Sequence, residues 1–249
     1  MTSAITIKDA LSQLRLTRLL SEFEKQINDP NIGELSFEER FFLLLDAEVT
    51  ARKSNRIERR IREARFKIKA YPNDIDFHTP RSIVRGQIEH LLTSNFITVG
   101  TNILMDGPTG IGKTFLACSI GMSGCYKGHS VKYFKFSQLQ ELIGISRLDG
   151  TYRQLSLKLK NTELLIIDDF GISPISLSAS RELLDLLDER NGYHSTLIAS
   201  QIPPASWHSL IEDQSVGDAI IDRLIHDSIL ISLGGESMRK TRANQMRKE

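Results

Sequence analysis

The spacing of apolar residues divides the chain into two parts with different periodicities. Up to about residue 70, apolar side chains recur every three or four positions, which predicts helices almost throughout. Ser36 followed three residues later by Glu39 forms a capping box, which predicts the start of the second long helix. The first part of the chain is therefore predicted to be a small all-helical domain.

Residues 71–74 break this pattern, and short β-type runs then alternate with helical ones. The predicted strands are residues 102–105, 130–136, 164–168, 196–200 and 228–232. The predicted helices between them are residues 112–126, 138–146, 152–158, 179–191 and 216–226. This alternation predicts an α/β fold with a parallel sheet covered on both faces. We expect a helical domain in residues 1–70 and the α/β domain in residues 71–249.

The composition is that of a globular protein, with 249 residues of which 40% are hydrophobic and 25% charged. The longest apolar runs are far shorter than the ~20 residues that cross a bilayer, and the N-terminus shows no secretion signal. We therefore expect a cytoplasmic protein without membrane association. Cys118 and Cys125 have no metal-ligand spacing and are expected to be reduced packing residues.

The charges are unevenly distributed although the net charge is only +1. Residues 52–69, here called the basic segment, hold nine basic residues and two acidic ones. Few acids are available for pairing within the helix, and such a face suits non-specific, salt-sensitive binding to duplex DNA. A solvated helix face and an arm for an acidic protein partner are the alternatives. The predicted DNA contacts are Arg52, Lys53, Arg56, Arg59, Arg60, Arg62 and Arg65.

The stretch GPTGIGKT, residues 107–114, matches the pattern G-x-x-x-x-G-K-[ST] between a predicted strand and a predicted helix. Its backbone N–H groups and the positive end of the following helix suit a triphosphate. Lys113 is expected to reach the β- and γ-phosphates, and the hydroxyl of Thr114 to bind Mg²⁺. The predicted nucleotide-binding residues are Gly107, Pro108, Thr109, Gly110, Ile111, Gly112, Lys113, Thr114 and Phe115.

The stretch LLIIDDFG, residues 164–171, is a buried strand that ends in two acids. Because the carboxyl ends of parallel strands meet at one edge of a sheet, Asp168 is expected beside the phosphate loop as an outer-sphere ligand of Mg²⁺. Asp169 is the candidate for polarising the attacking water. Many relatives of this motif have glutamate there, and the shorter side chain predicts slower hydrolysis or a bridging water. Taken alone, two aspartates at a strand end are also a turn signal.

Three further polar residues are candidates for contact with the γ-phosphate. Ser200 and Gln201 end the fourth predicted strand, where a polar side chain can sense the phosphate; a simple polar loop start is the alternative. Arg223 lies on an amphipathic helix and either forms a surface ion pair with Asp222 or Asp227 or reaches a neighbouring subunit's nucleotide as an arginine finger. Spacing alone leaves both roles of Arg223 open.

Five stretches in this order resemble the AAA+ ATPases of the IstB family, the ATP-binding helper proteins of bacterial insertion sequences. They are GPTGIGKT, LLIIDDFG, TLIASQIP, DAIIDRLIH and GGESMRK, within residues 75–240. The stretches ASQIPPASW and DRLIHDSILISLGGESMRK are similar to IstB proteins in particular. These proteins are close relatives of the DnaC helicase loader and more distant relatives of DnaA.

The resemblance implies an AAA+ P-loop NTPase core with a five-stranded parallel sheet and a truncated lid, binding ATP and Mg²⁺. It implies that Gln201, with Ser200, acts as sensor 1, that Arg223 acts in trans, and that Arg239 lies near the sensor 2 position. The implied catalytic set is Asp169, Lys113, Arg223, Gln201 and Ser200. Asp76 and Phe77, ahead of the first strand, are candidates for the neighbourhood of the adenine.

The implied function is regulation of DNA transposition by an ATPase that DNA stimulates. ATP-bound subunits would assemble on target DNA with ATP between neighbours, recruit and stimulate the transposase of the same element, and be reset by hydrolysis. A DnaC-like helicase loader is the main alternative, since its fold and site would be the same. A small-molecule P-loop kinase predicts an arginine-rich lid between residues 171 and 203, and the sequence shows none there.

Overall fold

The computed structural model describes residues 2–225 and 228–238, and the chain divides into two compact units, residues 1–59 and 60–249. The helices are α1 (Thr2–Gln13), α2 (Thr17–Asn28), α3 (Phe37–Ala64), α4 (Arg85–Leu92), α5 (Asn95–Val99), α6 (Lys113–Lys127), α7 (Phe136–Leu148), α8 (Tyr152–Lys160), α9 (Leu177–Arg190) and α10 (Gln214–Ile225). The strands are β1 (Ile103–Asp106), β2 (Val131–Lys135), β3 (Leu164–Phe170), β4 (Ser195–Ser200) and β5 (Ile229–Ser232).

The first unit is helical, as predicted, and its longest helix begins at the predicted capping box. The backbone N–H of Ser36 donates to Glu39 Oε2 at 2.8 Å, and the N–H of Glu39 donates to Ser36 Oγ at 3.2 Å. Each side chain thus satisfies a backbone donor that the helix itself leaves without a partner. Helix α3 starts directly after this pair and continues to Ala64.

The second unit is built on a five-stranded parallel sheet in the order β2-β3-β4-β1-β5, which confirms the predicted sheet. Four strands match the predicted ranges within one residue at each end, and β3 continues two residues further, to Phe170. Helices α6 to α10 match predicted helices. The shorter helices α4 and α5 and the 3-10 helix Pro204–Leu210 were not predicted, because their few turns give little periodicity.

The core lies on both faces of this sheet. Alternation along β1 sends Ile103 and Met105 to the face covered by α6, and Leu104 to the opposite face, which contains Trp207. Strands β3 and β4 divide their side chains in the same way. A strand buried on both faces needs apolar residues at every position, which explains the uninterrupted apolar runs in the sequence.

The second unit begins within α3, at residue 60. Ala64 and Ala70 are fully buried in the cluster that packs on the α6 side of the sheet. The chain that follows α3 therefore belongs to the packing of the α/β unit ahead of the predicted boundary at residues 71–74.

Candidate functional site

The phosphate loop, residues 107–112, joins β1 to α6 at the carboxyl edge of the sheet. Gly107 has φ +146°, and a Cβ there would lie 2.4 Å from the carbonyl oxygen of Leu233, so only glycine fits. Gly112, with φ 108°, is the N-cap of α6 and provides no side-chain cap. The first turn of α6 thus presents backbone N–H groups and the positive end of the helix dipole to the loop, which is an arrangement that binds anions.

Lys113, the first residue of α6, is folded back into this loop. Its ammonium donates to the carbonyl oxygens of Gly107 at 2.6 Å and Pro108 at 3.0 Å. Burial lowers the pKa of Lys113, and the nearby carboxylates, led by Asp168, oppose that shift. The ammonium is therefore positioned within the loop by backbone acceptors that a phosphate oxygen could replace.

Thr114 and Asp168 lie in direct contact although 54 residues separate them in the chain. The hydroxyl of Thr114 donates to Asp168 Oδ2 at 2.7 Å, and the hydroxyl of Tyr133 donates to the same oxygen at 2.7 Å. The N–H of Asp169 donates to Asp168 Oδ1 at 2.9 Å. Asp168 is only 1% exposed, so these three donors hold its carboxylate in one orientation. Tyr133 was not among the predicted site residues, although its position on β2 shares the sheet edge.

Asp169 differs from Asp168 because a bulge in β3 turns it out of the sheet. The register with β4 shifts between Ile167 and Phe170, and Asp169 has φ 59°, in the left-handed region. Bulges of this kind often redirect a side chain beside an active site. The carboxylate of Asp169 faces the ammonium groups of Lys135 at 3.5 Å and Lys67 at 3.8 Å. The pair of aspartates is therefore part of the strand and does not form a simple turn.

A cavity of about 520 Å³ opens beside these groups at the carboxyl edge of the sheet. Its lining is Lys67, Ile68, Asp74, Asp76, Arg81, Thr109, Gly110, Gly112, Lys113, Thr114, Phe115, Lys135, Asp169, Gln201 and Met238. Predicted phosphate-loop residues, Asp169 and Gln201 thus meet in one space. Asp76 lines it too, whereas the ring of Phe77 packs against the core and lies 5.3 Å from the guanidinium of Arg85.

Sequence reasoning missed several residues of this cavity. Arg81, almost fully buried, donates to the carbonyl oxygens of Asp76 and Ile111, and the N–H of Met238 donates to Gly110 O at 2.9 Å. No motif marks Arg81, and Met238 lies in the stretch GGESMRK, in which only Arg239 was given a role. Lys135 could have been found, because the last residue of a parallel strand lies at the same edge as the phosphate loop.

The two predicted sensor residues occupy different environments. Gln201 follows β4, which lies between β3 and β1 in the sheet, and it lines the cavity. Ser200 is fully buried, donates to the carbonyl oxygen of Phe170 at 2.9 Å and accepts from the N–H of Ile202 at 3.1 Å. Ser200 thus fixes the backbone behind the site and is not among the residues that line the cavity.

Arg223, on α10, lies at the opposite edge of the sheet. Its backbone carbonyl accepts from the side chain of Asn102, the residue before β1, at 3.3 Å. Its guanidinium forms an ion pair with Asp188 on α9, whereas Asp222 was one of the two ion-pair partners considered from the sequence. Asp227, the other partner considered, lies outside the described residues, as does Arg239.

Most of the predicted DNA contacts lie on exposed positions. Arg60 is half-buried, and the other six are exposed; these are Arg52, Lys53, Arg56, Arg59, Arg62 and Arg65. Arg52 also donates to Glu48 Oε1 at 2.7 Å, and this ion pair partly neutralises its charge. The basic segment therefore presents cations to solvent on several sides of α3.

The two cysteines are buried packing residues, as expected. Burial raises the pKa of Cys118 to about 11 and that of Cys125 to about 12, so both thiols are protonated and unreactive at neutral pH. Among the described residues, no helix is long and apolar enough to span a bilayer.

Comparisons with known proteins agree with this geometry. The model of the family described as IstB-like ATP binding protein matches residues 9–246. An insertion sequence ATP-binding protein of Sinorhizobium fredii is 35% identical over 240 residues, which is 96% of this chain and 97% of the relative. A second one from the same organism is 38% identical over 232 residues, which is 93% of this chain and 94% of the relative.

Solved structures show the same fold at low sequence identity. The DnaC helicase loader has a TM-score of 0.57 at 18% identity, covering 66% of this chain and 97% of that one. AMPPCP-bound DnaA from Aquifex aeolicus has a TM-score of 0.60 at 17% identity, covering 74% of this chain and 56% of that one. The fold of the second unit is thus that of an AAA+ P-loop NTPase. The chain belongs to the IstB-like ATP binding protein family of insertion sequences.

Proposed function

We propose that this protein hydrolyses ATP to control DNA transposition, and that its subunits assemble on target DNA and recruit and stimulate the transposase of the same element. The observation that carries the proposal is the contact between Thr114 and Asp168, with Lys113 folded into the adjacent loop. The two insertion sequence proteins of Sinorhizobium fredii match this chain over almost its whole length, which favours transposition over helicase loading. The likeness to the DnaC loader, at 18% identity, concerns the fold alone.

The residues present fit a nucleotide with Mg²⁺. A hydroxyl and a carboxylate in contact provide the hard oxygen donors that Mg²⁺ prefers, and the N–H groups of the loop suit phosphate oxygens. Thr114 would hold the ion directly and Asp168 through its outer shell. A bound Mg²⁺ would supply neutralisation of the charge on the β- and γ-phosphates.

Hydrolysis requires a group that accepts a proton from water as the water oxygen attacks the γ-phosphorus and the bond to the bridging oxygen breaks. Asp169 lines the cavity and directly follows Asp168, which contacts Thr114, and we assign this role to it. Gln201 lines the same cavity and can orient the water or the γ-phosphate. Lys113 would stabilise the charge on the phosphate oxygens as it develops.

A complete site would need a second subunit. Arg223 lies near the amino end of β1, whereas the phosphate loop follows its carboxyl end, so one strand length of about 13 Å separates them within one subunit. An arginine side chain does not span that distance. If Arg223 stabilises the transferred phosphate, it therefore does so in a neighbouring subunit, and ATP lies between the two.

The basic segment is the proposed DNA contact. Its exposed cations would neutralise phosphates along the duplex without reading bases. If seven phosphates are neutralised, the plot of log K against log salt concentration should have a slope of about −6. Because Arg52 already pairs with Glu48, a somewhat shallower slope is expected.

The decisive experiment measures the rate of ATP hydrolysis by the full chain with and without random-sequence duplex DNA, and then with added transposase. Lys113→Ala should weaken ATP binding by at least about 100-fold, because two charge-assisted hydrogen bonds to phosphate are lost. Lys127→Ala, which removes the same charge at the other end of α6, is the matched control. Wild-type ATP affinity in Lys113→Ala, or hydrolysis that DNA does not change, would contradict the proposal.

A further inference from the structure

The chain that follows α3 is fixed to the core of the second unit. Helix α3 ends at Ala64, and Arg65, with φ 56°, reverses the direction of the chain in the left-handed conformation common at helix C-termini. Phe66 then packs so tightly on α6 that a Cβ at Gly121 would lie 2.6 Å from its ring. The next residue, Lys67, therefore leaves the core at a defined point.

Two lysines from different elements converge on one oxygen of Asp169. Lys67 follows α3 and lies 3.8 Å from Oδ2, while Lys135 ends β2 and lies 3.5 Å from the same oxygen. The three side chains are 36%, 37% and 30% exposed, respectively for Lys67, Lys135 and Asp169. Ion pairs this long and this exposed are weak, so a competing anion can exchange with Asp169.

A second groove, of about 490 Å³, lies on the other side of these lysines. Its lining is Arg65, Lys67, Tyr133, Phe134, Lys135, Gln138, Glu141, Leu142 and Ile145. Lys67 and Lys135 line both this groove and the nucleotide cavity. Three cations face one acid in the groove, and Gln138 adds an amide donor, which is the chemistry that receives a phosphodiester.

We propose that this groove binds a DNA phosphodiester and that Lys67 is a positioning residue which occupies Asp169 until DNA draws it away. The inference rests on the proposed function, in which Asp169 accepts the proton of the attacking water. Without DNA, Lys67 competes for the oxygen that must accept that proton. With a phosphodiester between Arg65 and Lys67, the oxygen keeps Lys135 and loses Lys67, so it accepts a proton more readily, and DNA binding is coupled to hydrolysis through one side chain.

The test compares hydrolysis by the wild-type chain, Lys67→Ala and Lys127→Ala with and without random-sequence duplex DNA. Lys127→Ala removes the same charge at the exposed end of α6 and is the matched control, because Lys127 lies outside the basic segment and lines neither the groove nor the cavity. In Lys67→Ala, the DNA-free kcat should rise about two- to fivefold, as expected for loss of one exposed ion pair, with KM for ATP within about twofold of wild type. DNA stimulation should fall by the same factor, and Lys67→Arg should restore the wild-type pattern.

The outcomes separate the inference from the proposed function. A wild-type chain whose hydrolysis does not respond to DNA overturns both. If DNA stimulates the wild type and Lys67→Ala equally, the inference alone is overturned. It is also overturned if Lys67→Ala loses kcat both with and without DNA, since Lys67 would then act on the phosphate. Lys67→Gln removes the charge with less loss of side-chain volume. A melting temperature equal to that of the wild type in this variant excludes a folding defect as the cause of any change.

Discussion

Asp168 and Asp169 are neighbours in the chain, yet they lie in opposite kinds of surroundings. Asp168 is 1% exposed and accepts three hydrogen bonds, from Thr114, Tyr133 and the N–H of Asp169. Asp169 is 30% exposed and faces two lysines at 3.5 and 3.8 Å. The bulge in β3 produces this difference by turning one carboxylate into the protein and the next one out of it.

The two environments suit two tasks. A buried hydrogen bond to a charged group contributes about 1.5–3 kcal/mol, whereas an exposed ion pair contributes about 0–1 kcal/mol. Under the proposed function, Asp168 serves the metal side of the site and is fixed when the chain folds. Asp169 serves the water side and is held weakly, so we expect DNA or a neighbouring subunit to be able to change its contacts.

The largest expected effect separates the two aspartates directly. Asp169→Asn should lower the single-turnover rate of ATP hydrolysis by about 10³-fold, because the proton acceptor is lost, while ATP affinity stays unchanged. Asp168→Asn should lower hydrolysis and should also abolish the gain in ATP affinity that Mg²⁺ provides. Titration of a fluorescent ATP analogue with Mg²⁺ and with a chelator measures the second effect.

Each variant is the control for the other, since both replace a carboxylate by its isosteric amide one residue apart. Equal loss of Mg²⁺-dependent affinity in the two variants would show that both carboxylates serve the metal. In that case the division between a metal side and a water side would be wrong.

A smaller effect is expected at the opposite edge of the sheet. Arg223→Ala should lower steady-state hydrolysis by about 10²-fold, the usual cost of one missing charge-stabilising donor. Because the guanidinium is expected to act in a neighbouring subunit, mixing this variant with Lys113→Ala should restore part of the activity. Sites with Lys113 from one subunit and Arg223 from the other would then be complete.

A mixture of the two variants that gains no activity would contradict a role of Arg223 in a neighbouring subunit. If the mixture hydrolyses ATP no faster than the two variants measured separately, Arg223 acts within its own subunit or only supports the fold through its ion pair with Asp188. Asp222→Ala, which changes the adjacent residue on α10, controls for damage to that helix.

The same contrast explains how much the sequence could reveal. Two local sequence patterns were enough to predict Gly107, Lys113, Thr114 and Asp168. The carboxyl ends of parallel strands meet at one edge of the sheet, which brings the two patterns together. The lysines beside Asp169 do not follow from these patterns, because Lys67 reaches it only through the turn at Arg65, and the sequence assigned the basic segment to DNA contact in general. The partner of Arg223 was also missed, because Asp188 lies on a different helix, 35 residues away.

The bulge in β3 was also not predicted from the sequence. Two aspartates after an apolar run predicted the end of a strand, whereas β3 continues to Phe170, whose ring packs on Phe136 and Trp207. Burial of that ring keeps the strand in place beyond the bulge. Packing by distant aromatic residues therefore decided the conformation of the acidic pair.

The smallest effect tests the fixed side of the site through Tyr133. Burial, with Asp168 adding to it, raises the pKa of Tyr133, so its hydroxyl stays protonated and donates to Asp168. Tyr133→Phe removes that donor and leaves those of Thr114 and Asp169. We expect Mg²⁺-dependent ATP affinity to fall about tenfold and the free energy of unfolding to fall by about 1 kcal/mol. Tyr193→Phe, on a residue that is 78% exposed, is the control.

The direction of this effect is more informative about the two aspartates than its size. Loss of a group that supports Asp168 should impair the site, because that carboxylate works in the orientation the core gives it. Loss of Lys67, which pairs with Asp169, should raise hydrolysis without DNA, because that carboxylate accepts a proton more readily with one lysine fewer beside it. A Tyr133→Phe variant that bound Mg²⁺ and ATP as tightly as wild type would mean that Thr114 and the N–H of Asp169 hold Asp168 by themselves.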